Sequence, residues 1–159
     1  MGLQYFTLVH ILISLVGIAS GFGMLAGLLA AKLFPRWTAV FLTTTVATSA
    51  TGFFFPFRGF TPALAFGVLS LVVLAVAIYA LYLRRLTGSW RPAFVSIALY
   101  LNCFVLVAQL FQKIPPLTAL APTQSEPAFA ITQGIVLITF LWLGILATKR
   151  FRGGWGSWV

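Results

Sequence analysis

Five long apolar stretches follow one another along the chain, separated by segments that carry charged residues or prolines. They cover residues 5–31, 37–57, 62–83, 92–112 and 128–148. A helix crosses the hydrocarbon core of a bilayer, about 30 Å thick, with about 20 residues. The pattern therefore predicts an all-α fold, a polytopic bundle of five transmembrane helices that forms one domain over residues 1–159.

Only one connection between these stretches is long, the segment 113–127 (KIPPLTALAPTQSEP). It holds four prolines and the only acid of the chain, Glu126. Proline lacks a backbone donor and has a fixed φ, so this density predicts an extended segment rather than a helix. We expect the segment to form a cap on the bundle, with Leu117, Leu120 and Ala121 resting on it.

The composition narrows the class of protein. Apolar residues make up 61% of the chain and charged residues 7%, and the mean hydropathy is +1.07. A soluble domain has about 25% charged residues, which form its polar surface. The composition excludes a soluble cytosolic enzyme and a disordered chain, and indicates an integral membrane protein in contact with the lipid bilayer.

The basic residues are distributed unevenly between the two ends of the predicted spans. Two lie at one end, Arg58 and Lys113. Eight lie at the other end: Lys32, Arg36, Arg84, Arg85, Arg91, Lys149, Arg150 and Arg152. The positive-inside rule then places the N-terminus and the loop 113–127 outside, and the C-terminus, with its basic and Trp-containing tail 149–159, in the cytoplasm. Because the charges form short clusters between apolar runs, the net charge of +9 does not indicate binding to nucleic acid.

The first span carries two groups of small residues on different faces. One face carries Thr7, His10, Ser14, Gly17 and Gly21, and the nearly opposite face carries Ala19, Gly23, Ala26 and Ala30. Small residues let helix backbones approach closely in lipid. We expect a central first span with neighbours on both faces, and helix packing at Gly17, Gly21, Gly23 and Gly27.

The second span is rich in hydroxyl groups: Thr38, Thr43, Thr44, Thr45, Thr48, Ser49 and Thr51. A threonine hydroxyl can bond to the carbonyl four residues earlier, so it is tolerated in lipid without an external partner. Two interpretations stay open, a packing face whose hydroxyls bond to their own helix and a polar wall that lines a cavity.

A histidine and four amides lie inside the predicted spans: His10, Asn102, Gln109, Gln112 and Gln133. These groups need a partner on another helix, a water or a ligand. His10, Gln109 and Gln133 are at similar depth in the outer half, and the aromatic cluster Phe53–Phe57, which includes Phe55, follows the second span. The hypothesis is an outer-leaflet pocket for a quinone or a lipid; the alternative is that the polar groups bond to one another.

The chain lacks the residues that several kinds of chemistry require. Bis-histidine haem needs two histidines and this chain has one, so haem held by this chain alone is disfavoured. A dithiol needs a second cysteine besides Cys103. There is no HExxH motif and no acid within a span, so we predict no metal site, no catalytic residues and no enzyme activity.

Three stretches resemble small multi-span proteins of bacterial inner membranes: VHILISLVGIASG, TGFFFPF (Thr51 to Phe57) and LAPTQSEPAF (Leu120 to Phe129). The resemblance implies a multi-pass protein of the bacterial inner membrane. It implies no activity, and no site residue is carried over from it.

Three functions are compatible with these patterns. The first is a non-catalytic helical subunit or assembly factor of a larger membrane complex, which implies other membrane protein chains as partners. The second is a binder of a quinone or lipid in the outer leaflet. The third is an oligomeric channel or carrier of small solutes, which would need a polar path that continues to the cytoplasmic side.

Overall fold

The computed structural model describes residues 2–54, 62–79 and 90–153, and in these ranges all regular structure is helical. The helices are α1 (Gly2–Leu29), α2 (Pro35–Gly52), α3 (Pro62–Ile78), α4 (Trp90–Lys113), α5 (Pro115–Leu120) and α6 (Pro127–Gly153). A helix occupies each of the five predicted apolar spans, so the all-α prediction is confirmed. α5 was not predicted.

Three of the helices are long and apolar enough to cross a membrane: α1 over Gln4–Leu29, α4 over Pro92–Lys113 and α6 over Pro127–Arg150. α2 has 18 residues, and its hydroxyl side chains lower its hydropathy. α3 has 17 residues in the described part.

Several sequence-based predictions lie outside the described residues. They are the ends of the second and third spans (55–57 and 80–83), Phe55, Arg58, Arg84, Arg85 and the part of the tail from 154 to 159.

α1 ends in a hydrogen-bonded turn rather than at a proline. The Ala31 N–H donates to the Leu28 carbonyl at 3.1 Å and the Lys32 N–H donates to the Gly27 carbonyl at 2.8 Å. This pair of bonds is the Schellman motif, which needs a residue in the left-handed αL conformation directly after the helix. Ala31 takes that conformation with φ 55°, and the chain then turns directly into α2.

α1 and α4 form the centre of the bundle. α1 contacts α2, α4 and α6, whereas α4 contacts α1, α3, α5 and α6. The fully buried side chains at this centre come from four helices. They are Leu25 of α1, Phe41 of α2, Leu74 of α3 and Leu99 of α4. The centre is therefore shared by two helices, not held by the first span alone.

The glycines of α1 lie where other residues approach its backbone. A Cβ added at Gly21 would lie 2.6 Å from Leu99 Cδ1 and 2.9 Å from the Phe41 ring. A Cβ at Gly17 would lie 3.0 Å from Thr44 Oγ1, and one at Gly27 would lie 2.5 Å from the Phe34 ring. These positions exclude larger side chains, so they set the distance between α1 and its neighbours.

The second small face of α1 is different. Gly23 lies against the Trp37 ring, since a Cβ added at Gly23 would be 3.1 Å from Trp37 Cε3. The other residues of this face, Ala19, Ala26 and Ala30, are exposed. The expectation that both small faces are covered is thus wrong for these three alanines. α6 reaches α1 elsewhere, where Phe22 and Phe140 pack with ring centroids 6.1 Å apart.

The segment between α4 and α6 contains a helix, contrary to the expectation of extended structure. Pro115 and Pro116 occupy the first two positions of α5, where the missing N–H costs no hydrogen bond and the fixed φ suits a helix. The prolines therefore begin a helical turn here instead of preventing one.

This segment is tied to the end of α4. Gln124 Nε2 donates to the Ala108 carbonyl at 2.7 Å, and the Thr118 hydroxyl donates to the Phe111 carbonyl at 2.8 Å. Ala121 is buried and Leu117 is half-buried, as expected for a cap, but Leu120 is exposed. Two of the three apolar residues assigned to the cap therefore rest on the bundle.

Glu126 organises the turn that precedes α6. Its carboxylate accepts hydrogen bonds from the Thr123 hydroxyl at 2.9 Å and from the Thr123 and Ser125 backbone N–H groups, both at 3.1 Å. Desolvation acts to raise the pKa of Glu126, but these hydrogen bonds outweigh it and lower the pKa from its ordinary value. The carboxylate therefore stays ionised and keeps the turn in place at neutral pH.

Replacing Gly21 with alanine tests the close approach at the centre of the bundle. Phe41 and Leu99 are both fully buried and cannot move aside, so we expect Gly21→Ala to lower the free energy of unfolding by about 1–3 kcal/mol. Gly134→Ala in α6 is the matched control, because no atom lies within 4 Å of its added Cβ, and we expect it to raise helix stability by up to about 1 kcal/mol. Unfolding by SDS in mixed micelles, followed by circular dichroism, measures both. Equal effects of the two substitutions would contradict the packing described here.

Candidate functional site

The seam between the N-terminal half of α1 and the C-terminal half of α2 is polar. His10 Nδ1 and Thr51 Oγ1 are 2.8 Å apart. The Ser14 hydroxyl donates to the His10 carbonyl at 2.7 Å, and Thr48 Oγ1 lies 3.4 Å from Ser14 Oγ. Gly52 lies next to the histidine ring, since a Cβ there would be 3.9 Å from His10 Cε1. His10 thus has a partner on α2.

Three of the six threonines of α2 bond to their own helix. The hydroxyls of Thr38, Thr44 and Thr51 donate to the carbonyls four residues earlier, at 3.1, 2.6 and 2.6 Å. These bonds support the first interpretation of the hydroxyl-rich span, a packing face whose groups are satisfied locally. Thr45 is different because it is buried and bonds to another helix.

Asn102 joins α4 to α2. Its Nδ2 donates to Thr45 Oγ1 at 2.9 Å, and Thr45 is 2% exposed. Gln109 lies seven residues further along α4 and therefore on nearly the same side of the helix. Its side chain is half-buried.

Gln133 belongs to a different seam, between α6 and α4. Its Nε2 donates to the Phe104 carbonyl at 3.1 Å, and the residue is 7% exposed. Its other polar atom, Oε1, is buried and has no hydrogen-bond partner among the described residues. Ser96 Oγ, further along the same seam, is also buried and has no hydrogen-bond partner among the described residues.

The structure therefore does not bring His10, Gln109 and Gln133 together in one pocket. Phe104, the partner of Gln133, is two residues from Asn102, and at about 100° per residue it faces a direction about 200° away. The amides of α4 and the amide of α6 thus lie on opposite sides of α4. The rise per residue predicts the same level for the three residues along their helices. Their side chains nevertheless lie in different seams, because each helix is rotated so that they face different neighbours.

Aromatic side chains fill the seam that contains Gln133. The contacts run from Phe111 to Phe129, Phe104, Tyr100, Phe140 and finally Phe22 of α1, with centroid distances from 5.4 to 6.4 Å. Edge-on and tilted pairs such as these are stabilising beyond the area they bury. The sequence contains a signal for this row, since Tyr100, Phe104 and Phe111 share one face of α4.

A close contact between Ser96 and Gly144 completes the seam at its other end. A Cβ at Gly144 would lie 3.1 Å from Ser96 Cβ, so the two helices approach closely there. In residues 2–54, 62–79 and 90–153, no group of three or more His, Cys, Asp or Glu side chains is placed to hold a metal ion.

Comparisons of the chain with protein-family models, with curated proteins and with solved structures find no match.

A double-mutant cycle on Asn102 and Thr45 measures the bond between α4 and α2. We expect Asn102→Leu and Thr45→Val to show a coupling free energy of about 0.6 kcal/mol, and at most about 1.7 kcal/mol, as for other interhelical bonds in lipid. SDS-induced unfolding of the four proteins gives this value. Thr43→Val is the control, since Thr43 is exposed on the same helix, and its coupling with Asn102→Leu should be zero within error. A coupling at Thr43 equal to that at Thr45 would contradict the assignment.

Proposed function

We propose that the chain crosses the bacterial inner membrane five times, with its N-terminus outside and its C-terminus in the cytoplasm. α1, α4 and α6 have the length and hydropathy for this. α2 and α3 pack against each other, α2 also against α1 and α3 also against α4, so they form one bundle with the three long helices. Thr44 and Thr51 of α2 are compatible with lipid because their hydroxyls bond to the backbone of their own helix. Thr45 is bonded to Asn102 of α4. The eight-to-two distribution of basic residues supports the orientation.

Within this membrane, we propose that the protein is a non-catalytic helical subunit or assembly factor of a larger complex. One observation carries the proposal. The small face of α1 formed by Ala19, Ala26 and Ala30 is exposed, whereas the opposite small face is filled by α2 and α4. Small residues promote close contact between helices in lipid. α2 covers Gly23 of this face through Trp37, but the three alanines stay exposed.

The polar side chains support the same function. His10 and Asn102 are bonded to Thr51 and Thr45, and Gln133 is bonded to the backbone of α4. These groups hold the helices of the bundle together. A channel is less favoured, because the polar groups are divided between two seams and do not form one continuous path.

A quinone or lipid binder is the second candidate, and one atom favours it. Oε1 of Gln133 is a buried acceptor without a partner among the described residues, and the rings of Phe104 and Phe129 lie in the same seam, with centroids 6.4 Å apart. A hydroxyl or N–H of a bound molecule would satisfy this atom. A lipid headgroup or the reduced hydroquinone supplies such a donor, whereas the carbonyl oxygens of an oxidised quinone do not. Such a site would involve Gln133 without His10 or Gln109.

Reporter fusions test the proposed topology. A reporter that is active only in the periplasm should be active when inserted after Gln124, within the segment between α5 and α6, and inactive after Arg152, and a cytoplasmic reporter should show the reverse. The reason is the predominance of basic residues near the C-terminal end of α6 and in the turn after α1. Activity of the periplasmic reporter after Arg152 would contradict the orientation. The same reporter activity after Gln124 and after Arg152 would contradict the proposal that α6 crosses the membrane.

Substitution of Ala26 tests the proposed partner surface. Ala26 is exposed, so Ala26→Leu should leave the fold of the chain intact but prevent close approach of another helix. We expect stoichiometric chains that co-purify with the wild type in mild detergent to be reduced at least about tenfold, which corresponds to about 1.4 kcal/mol. Ala75→Leu on α3 is the matched control, since Ala75 is equally exposed, and it should retain the partners.

Three outcomes decide between the candidates. Loss of the partner chains with Ala26→Leu alone supports the subunit. Purification of the wild type without any partner chain, but with a bound quinone or lipid that is lost in Gln133→Leu, supports the second candidate. Retention of partner chains by the Ala26 variant contradicts the proposed surface.

A further inference from the structure

Basic side chains from distant parts of the sequence meet at one end of the bundle. Arg150, near the end of α6, donates from Nη1 to the Leu29 carbonyl at the end of α1, at 3.4 Å. Lys32 follows three residues after Leu29, and Arg36 lies at the second position of α2. All three basic residues are exposed. The contact between α6 and α1 therefore brings the charge of Arg150 to the same end of the bundle as Lys32 and Arg36, which are distant from it in the sequence.

No acidic side chain of the protein balances this charge. The only acid is Glu126, which lies 24 residues before Arg150 and therefore about 36 Å away along α6. Its carboxylate is already bonded to Thr123 and Ser125. The first turn of α2 likewise contains no acid. Like charges grouped in this way repel one another unless an external anion lies among them.

An exposed apolar surface adjoins the same group of charges. Leu33 and Phe34, between Lys32 and Arg36, are exposed. Trp37, next to Arg36, is 48% exposed, and an exposed indole is typical of the level of lipid headgroups. A group of charges beside an exposed apolar surface suits a ligand that has an anionic head and a hydrocarbon tail.

We propose that Lys32, Arg36 and Arg150 bind the phosphodiester headgroup of an anionic phospholipid, with one acyl chain along the exposed apolar surface formed by Leu33, Phe34 and Trp37. Guanidinium groups bind phosphate oxygens through paired N–H donors, and lysine adds a point charge. Arg150 uses one donor on Leu29 and has others for the phosphate. The inference rests on the membrane-spanning arrangement proposed above, and it does not depend on a partner chain.

Electron paramagnetic resonance of spin-labelled lipids tests this site. The full chain is reconstituted in phosphatidylcholine bilayers with trace amounts of spin-labelled phosphatidylglycerol or phosphatidylcholine, and the motionally restricted fraction of each label is measured. We expect the wild type to favour phosphatidylglycerol about fivefold, the size of effect that one basic residue at a membrane surface produces. In Lys32→Gln/Arg36→Gln/Arg150→Gln this preference should fall at least about threefold, and 0.5 M NaCl should weaken it in the wild type.

Two further variants separate the site from general effects of charge and folding. Arg84→Gln/Arg85→Gln/Arg91→Gln removes the same charge from the connection between α3 and α4 and from the first turn of α4, and it should keep the preference. Lys32→Arg/Arg36→Lys/Arg150→Lys retains the charges and should keep most of it, while circular dichroism checks the helix content of every variant. An equal loss in both glutamine variants, or no preference in the wild type, would overturn the proposal.

The same spectra distinguish this inference from the membrane arrangement on which it rests. A restricted component from the phosphatidylcholine label shows that the chain presents its helices to lipid. If that component is present without a preference for phosphatidylglycerol, only the lipid site fails. If no label is restricted, the arrangement of membrane-spanning helices fails as well.

Discussion

The contact at Gly21 is the point at which three helices of the bundle are held together. Helices in lipid gain little by burying apolar side chains against one another, because the lipid tails are equally apolar, so close packing and polar bonds must hold them. The Phe41 ring from α2 and the Leu99 side chain from α4 both fill the space beside the Gly21 backbone. Since α2 and α4 take their positions from this contact, the bond between Thr45 and Asn102 that joins them also depends on it.

The two polar seams contribute to the fold in different ways. The seam of α1 with α2 uses pairs of side chains, such as His10 with Thr51, together with glycines that bring the backbones close. The seam of α4 with α6 uses aromatic rings, one amide bond and the contact of Ser96 with Gly144. The second seam contains both buried polar atoms that have no partner in the described ranges. It is therefore the less completely hydrogen-bonded of the two.

The sequence predicts the helices of this protein better than it predicts their rotation. Apolar runs locate the helices because a buried or lipid-covered backbone must bond to itself, and this rule needs no knowledge of neighbours. The role of Pro115 and Pro116 was missed because their position in the first turn, not their number, decides whether they allow a helix. The depth of His10 and Gln133 follows from the rise per residue. Their separation by α4 does not, because the side of a helix that faces each neighbour is set by tertiary contacts.

The length of α2 has a consequence for the bilayer around the protein. At 1.5 Å per residue, its 18 residues span about 27 Å, whereas the 28 residues of α1 span about 42 Å. If both cross the same membrane, the hydrocarbon layer beside α2 must thin by about 3 Å from its usual 30 Å, while α1 can accommodate its length by tilting. Each ångström of such mismatch costs a fraction of a kcal/mol. The protein would thus favour thinner, shorter-chain lipid on one side of its circumference and would tend to partition into regions where the bilayer already has that thickness.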